Sequence, residues 1–370
     1  WGLGMRLRDS TISYPKQMML GAIEDDQLLF DMGKDIALQS KRLGVYLNFA
    51  PVVDINSNPK NPVIHMRSFG EDKFNVSRKA EAYMSGMQTN GILACAKHFP
   101  GHGDTEVDSH FDLPVLKKNP EELFDTEMYP FEKLKNAGVR SMMVAHLQVP
   151  ALDNTKNLPA SLSPKIVKSI LRNGFGFDHL IFTDGLEMKG VTKYWSPGNL
   201  ELKALVAGND VLLLPENIDL AFANIKKALQ EGNYDRKEFE ASVKRILKEK
   251  YRLGLTHTPK IEIANLYEDL NTPEYIEQKT RLVENAITLL KNDGSIVPID
   301  QNAPIRIALI SIGDKDETVL QKSIASYFQI TTFHVPGDGS AYLENLSTKL
   351  QDYDLLVYAF YNINSNDKIN

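Results

Sequence analysis

The sequence predicts an α/β fold: a (β/α)8 TIM-type barrel followed by the start of a second α/β sandwich domain. Three observations predict it. Short, near-continuously apolar, β-branched runs alternate with helix-length amphipathic segments, the pattern of parallel strands buried on both faces. The runs pass straight into polar residues at their C-terminal ends: Asp54 and Asn56, then Lys97 and His98, then His146, then Asp184. Successive strand ends converge on one mouth in a barrel, whereas a doubly wound sheet gathers its ligands at one switch point, and no G-x-G-x-x-G follows any strand here.

In order, a helix over Asp26–Arg42 leads to the strand Val45–Val53 (VYLNFAPVV), and a helix over Val76–Thr89 leads to the strand Ile92–Phe99 (ILACAKHF). A helix over Pro120–Asn136 precedes the strand Arg140–Leu147, and one over Pro164–Arg172 precedes Leu180–Thr183 (LIFT). Val211–Leu214 (VLLL) is a fifth strand. The helix after it places Ile218, Phe222, Ile225 and Leu229 on one stripe, and Arg236–Leu253 ends at Gly254, a residue suited to a helix C-terminus. Five strands leave a barrel short, so the earliest are expected before Trp1; the opening WGLGMRLRDS, without an initiator Met, agrees. The catalytic barrel is assigned to 1–255, a linker and connecting helix to 256–300, and the beginning of the second domain to 301–370. That last part shows strands at Ile305–Ile310 and Leu355–Phe360 with a polar helix between. It holds too few elements to bury a sheet on both faces, so it is expected to be cut as well.

The 370 residues carry a net charge of −6 and are 42% hydrophobic and 24% charged. With a pI near 5.8 and its basic residues interspersed with acidic ones, the chain offers no face for nucleic acid. Cys95 is the sole cysteine, which rules out an intrachain disulfide; its apolar surroundings predict a buried, structural thiol. No run of 18 apolar residues is present to span a membrane. An export signal would lie upstream of Trp1, so the compartment stays open; the two-part layout resembles that of cell-envelope proteins more than compact single-domain cytoplasmic ones, which leans towards periplasm, with cytoplasm as the alternative.

The segment Lys97–His110 (KHFPGHGDTEVDSH) concentrates ionisable groups behind a buried strand, an arrangement that destabilises a fold unless it serves a site. Gly101 and Gly103 allow positive φ and close approach of the backbone to a ligand. Two chemistries compete. One is a metal site using His98, His102, Asp104, Asp108 and His110, although Pro100 and the glycines are at odds with a helical ligand pair. The other is acid/base work by an Asp108–His110 dyad, whose i,i+2 spacing lets the carboxylate orient the imidazole. In LIFTDGLEMKG, Asp184 sits where a buried strand meets a turn. It reads as a carboxylate nucleophile, with a helix N-cap as the plain alternative. A carboxylate nucleophile and a separate proton donor form the minimum set of a retaining glycosidase.

KHFPGHGDTEVDSH followed by IFTDGLEMKG resembles glycoside hydrolase family 3, specifically its β-N-acetylglucosaminidase branch, in which the acid/base is the His of a D-S-H loop. The resemblance covers residues 1–255 and, more loosely, TLLKN and VPI beyond. It implies that Asp184 is the nucleophile and His110 the acid/base tuned by Asp108. It also implies that Arg6, Arg67, Lys97, His98 and Met188 contact the sugar. Arg6 and Arg67 could instead serve in ion pairs, and His146 reads equally as a hydrogen-bonded core histidine. Asn56 and Asp54 are assigned to shaping the mouth, and His102 and Asp104 to shaping the loop. Where many relatives have Asp-Asp, this chain has Asp184–Gly185. The implied activity is exo-hydrolysis of terminal β-linked GlcNAc from muropeptides, as in peptidoglycan recycling, or from chitin-type oligosaccharides. A carbohydrate is the expected partner, with no cofactor and no metal. Because a His acid/base leaves the departing side neutral, phosphate as acceptor is a second reading. A metal-dependent hydrolase is the rival.

Overall fold

Parallel pairing joins the apolar runs in the order in which they occur along the chain. The computed structural model describes residues 2–107, 112–313, 318–335 and 346–361. Two units are distinguished, Trp1–Thr288 and Leu289–Asn370. In the first, β1 (Leu47–Asn48) pairs with β2 (Leu93–Ala94). Strands β3 (Ala96–Phe99), β4 (Ser141–Val144), β5 (Leu180–Gly185) and β6 (Val211–Leu213) then follow in one four-stranded sheet. A bridge between Val52 and Lys97 links the two sets. Neighbours that keep chain order, all parallel and separated by helices, are the arrangement of a (β/α) barrel.

Side-chain alternation along the strands separates two layers. Leu93, Cys95, Met143, Leu180 and Phe182 cluster with Leu47, Phe49, Val211 and Leu213 on one face. Ala94, Ala96, Met142, Val144 and Ile181 face the other way, into the larger core built with the helices. Since successive residues alternate, Lys97, two beyond Cys95, and Asp184, two beyond Phe182, leave the inner apolar layer on the same side. Cys95 is fully buried and its thiol is pushed up to about 12 by that burial, in keeping with a structural role.

The helices Gln27–Arg42 and Lys73–Thr89 pack against one another through glycines. A Cβ on Gly33 would overlap the Tyr83 carbonyl oxygen, and one on Gly86 the Phe30 carbonyl oxygen. Asp72 caps the second helix by accepting from Asn75 N–H at 2.7 Å. The segment after Gly254 straps onto the first helix: Arg42 pairs with Asp269 at 2.8 Å, and Gln39 and Gln278 donate to the carbonyls of Leu270 and Leu28. Leu282 and Ala286, on the helix Pro273–Ala286, enter the main core.

Several local expectations need correction. Only Leu47–Asn48 of the run Val45–Val53 is a regular strand. Pro51 has no N–H, and pairing continues through Cys95 N–H to Ala50 O, Lys97 N–H to Pro51 O and Val53 N–H to Lys97 O. The helix expected over Pro120–Asn136 breaks. A wide turn at Leu123–Glu127 separates Pro120–Glu122 from Tyr129–Asn136, because Pro130 cannot donate within a continuous helix. On Ile218–Glu231 the buried face is turned from the predicted stripe: Ala221 and Ala228 are buried, whereas Ile218 and Phe222 are 70% and 68% exposed.

The second unit holds a parallel sheet of β7 (Ile307–Ile312), β8 (Ile330–Val335) and β9 (Leu355–Phe360) in the order β8-β7-β9. Ala308, Ile310, Val335 and Leu346 form its core. Strand β8 (ITTFHV) lacks the near-continuous apolar run by which the other strands are predicted, since Thr331, Thr332 and His334 interrupt it. Among the described residues no helix is long and apolar enough to cross a membrane.

Candidate active site

Asp54 organises the mouth at the C-terminal ends of the strands. Its carboxylate is wholly buried and accepts the backbone N–H of His98 at 3.1 Å, the backbone N–H of His102 at 2.8 Å, and His98 Nδ1–H at 2.7 Å. The other ring nitrogen, His98 Nε2, lies 3.2 Å from Arg67 Nη2. A guanidinium only donates, so Nε2 accepts and the imidazole is the neutral Nδ1–H tautomer. Burial, followed by the charges of Arg67 and Lys97, holds His98 well below the ordinary histidine range. The Asp54–His98 contact is therefore a charge-assisted hydrogen bond, with His98 uncharged.

Lys97 and Asp184 face one another electrostatically. Burial and the neighbouring Arg67 lower Lys97 to about 8, against the opposing pull of Asp184. Burial alone would raise the Asp184 carboxyl. The imidazoles of His98 and His146, the Gly185 N–H at 2.9 Å from Oδ1, and Lys97 together bring it below the usual carboxylate value. The result is a carboxylate ionised across the physiological range, which suits a nucleophile. Met188 stands beside the same turn, its Sδ 3.6 Å from where a Cβ on Gly185 would be.

The loop after β3 is held from beneath. Asn61 Nδ2 donates to the carbonyls of His102 and Gly103, at 2.7 and 3.0 Å, and His102 Nδ1 meets Thr105 Oγ1 at 2.8 Å. Gly101 adopts φ 127, and a Cβ there would come within 2.7 Å of Glu127. Gly103 is needed for a different reason: a Cβ would overlap the Ile55 carbonyl oxygen, so the close approach is to neighbouring backbone. Glu127 is buried and meets Lys118 Nζ at 2.5 Å; Lys118 also lies 3.6 Å from Asp104. Asp112, just past the loop, pairs with Lys193 at 2.9 Å and accepts from Tyr194 Oη–H at 3.1 Å, on the segment that follows Asp184.

Residues 1–248 match the glycosyl hydrolase family 3 N terminal domain. The chain belongs to glycoside hydrolase family 3. Beta-hexosaminidase A of Pseudoalteromonas piscicida is 32% identical over 334 residues, covering 85% of this chain and 54% of that protein. The chain thus spans about half the length of that curated relative. A solved family 3 β-N-acetylglucosaminidase from Paenibacillus sp. str. FPU-7 superposes with a TM-score of 0.81 at 30% identity, over 96% of this chain and 70% of the other. The β-glucoside phosphorylase BglX gives a TM-score of 0.80 at 26% identity, over 97% and 68%.

Of the residues singled out in the family 3 motifs, Arg67, Lys97, His98, Asp184 and Met188 lie at or beside the strand ends just described. Asp108 and His110 lie outside the described residues. Arg6 is exposed at the end of the turn Leu3–Met5, and among the described residues no hydrogen bond or ion pair joins it to this group. The metal alternative meets committed donors: both ring nitrogens of His98 are engaged, and Nδ1 of His102 meets Thr105. Among the described residues no cluster of His, Cys, Asp and Glu is arranged to hold an ion. Sequence reasoning treated Asp54 as shaping the mouth and missed its donors; it also missed Asn61, Lys118 and Glu127, whose partners are set by tertiary contact alone.

Proposed function

We propose that the chain carries the catalytic domain of a retaining exo-β-N-acetylglucosaminidase acting on terminal β-linked GlcNAc of muropeptides or chitin-type oligosaccharides. The observation that carries this reading is an ionised Asp184 at the same barrel mouth as Lys97, His98 and Arg67, in a family whose similar members bear hexosaminidase names. Asp184 Oδ attacks the anomeric carbon as the glycosidic oxygen departs, giving a glycosyl ester with inversion. His110, tuned by Asp108, protonates that oxygen. It then takes a proton from the incoming water, whose oxygen attacks the same carbon and releases Asp184 with a second inversion. Lys97, His98, Arg67, Arg6 and Met188 hold the sugar, Lys97 and Arg67 through donors directed at hydroxyls.

The test is turnover of aryl and alkyl N-acetylglucosaminides. Asp184→Ala is expected to abolish both, while His110→Ala keeps activity on aryl substrates, whose leaving groups need no proton, and loses it on alkyl ones. An active Asp184→Ala chain overturns the assignment. The structural likeness to a phosphorylase favours one further reading, transfer of the sugar to phosphate. Formation of a sugar 1-phosphate in phosphate buffer supports it, and free sugar as the sole product in that buffer rejects it.

A further inference from the structure

His146 lies two residues beyond the end of β4, wholly buried, and takes no part in the mechanism above. Its Nε2 is 2.9 Å from the Gly185 carbonyl oxygen and its Nδ1 is 2.7 Å from Ser161 Oγ. A carbonyl can only accept, so Nε2 carries the proton. With the imidazole neutral, Nδ1 must accept, and Ser161 donates to it. Burial keeps this histidine below its ordinary range, in agreement with the neutral form. Ser161 is itself fixed on the turn Ala160–Leu162: its N–H donates to Ala145 O and its carbonyl accepts Asn209 Nδ2 at 2.7 Å. Gly185 is gripped on its other side as well, where its N–H donates to Asp184 Oδ1 at 2.9 Å.

We infer that His146 is a positioning residue for the nucleophile: Ser161 fixes its tautomer, and its Nε2–H anchors the Gly185 backbone whose N–H holds the Asp184 carboxylate. The inference rests on the reading of Asp184 as the nucleophile. The chemistry explains why a histidine stands here. A lysine or arginine would place a permanent charge beside the carboxylate and draw its lone pairs away from the anomeric carbon. A neutral donor directed at backbone sets the angle of the turn and leaves the carboxylate free to react. Among the described residues, the charged and titratable groups that act on Asp184 are Cys95 just before β3, Lys97 and His98 on β3, His102 on the loop that follows, and His146 just past β4.

The experiment compares the full chain with His146→Ala, His146→Gln, Ser161→Ala and Asp184→Ala on an aryl N-acetylglucosaminide, reading kcat, KM and the pH profile of kcat/KM. For His146→Ala, kcat should fall on the order of 10- to 100-fold with KM nearly constant, since the misplaced group is the one that reacts. The acid limb of its profile should move to higher pH as the Gly185 N–H bond to Asp184 loosens. His146→Gln, whose amide N–H can reach the same carbonyl, should recover most of kcat, and Ser161→Ala should fall between. Wild-type kcat and acid limb in His146→Ala, with Asp184→Ala inactive, overturn the inference and leave the nucleophile assignment standing. A rise in KM alone also overturns it. If His146→Ala does not fold, Ser161→Ala with an unchanged kcat and acid limb is the overturning result. Turnover by Asp184→Ala removes both readings together.

Discussion

Asp54 accepts three N–H groups from partners 44 and 48 residues away in the chain, and water reaches none of its surface. Replacing it by alanine orphans two buried backbone donors and one ring donor at once, and frees the His98 imidazole to rotate. The expected loss is about 3–5 kcal/mol, the range for breaking a buried charged network by removing one partner. Urea unfolding of Asp54→Ala checks it, and a loss under about 1 kcal/mol would show that the donors find other partners. Asp54→Asn is the sharper probe, since its amide points an N–H at donors and cannot accept from all three. At this scale the sequence revealed which residues stand at strand ends, because a polar residue directly after a buried run is a local signal. It did not reveal that Asp54 holds His98 and His102 together, since that depends on how strands distant in sequence are placed side by side.

Among the elements, the strands were the most legible, because apolar runs buried on both faces stand out whatever they pair with. Leu355–Phe360 coincides with its expected bounds, whereas Val45–Val53 and Pro120–Asn136 were read too long, each across a proline. The glycines of the loop and of β5 give contrasting predictions. Gly103→Ala drives a methyl into the Ile55 carbonyl, so the loop after β3 must shift. The change should destabilise by about 1–3 kcal/mol, and kcat/KM should drop on the order of 100-fold as the loop moves. Gly185 has an ordinary φ and its nearest side-chain neighbour, Met188, would stand 3.6 Å from a new Cβ. Gly185→Ala should therefore fold as well as the parent and gain about 0.4–1 kcal/mol from the restricted unfolded chain. Thermal melts of the two variants distinguish them, and equal stability would contradict the role given to the Ile55 contact.

On the scale of the whole molecule, ionisable groups near the mouth make both activity and stability decline as the pH rises, through different residues. Lys97, lowered to about 8, loses its proton as the pH rises through that value. If its ammonium holds a sugar hydroxyl, kcat/KM should decline above pH 8, and Lys97→Arg, which stays charged, should extend the plateau. Glu127 acts on the fold instead. Burial raises its carboxyl from 4.5 to about 7, despite the pull of Lys118. A group raised on folding binds its proton more tightly in the native state, so its contribution is fully present below pH 4.5 and is lost as the pH rises through 7. The shift corresponds to about 3 kcal/mol on the usual scale of one unit per 1.36 kcal/mol. Lys118 is raised by the same partner and keeps its charge throughout, so the loss belongs to the carboxyl. Glu127→Gln preserves the shape, removes the titration, and should flatten the dependence of the melting temperature between pH 5 and pH 8. The parent chain should lose several degrees over that interval while the variant changes little. Parallel curves for the two would mean that Glu127 is ionised in the folded protein already at pH 5, with Lys118 outweighing its burial.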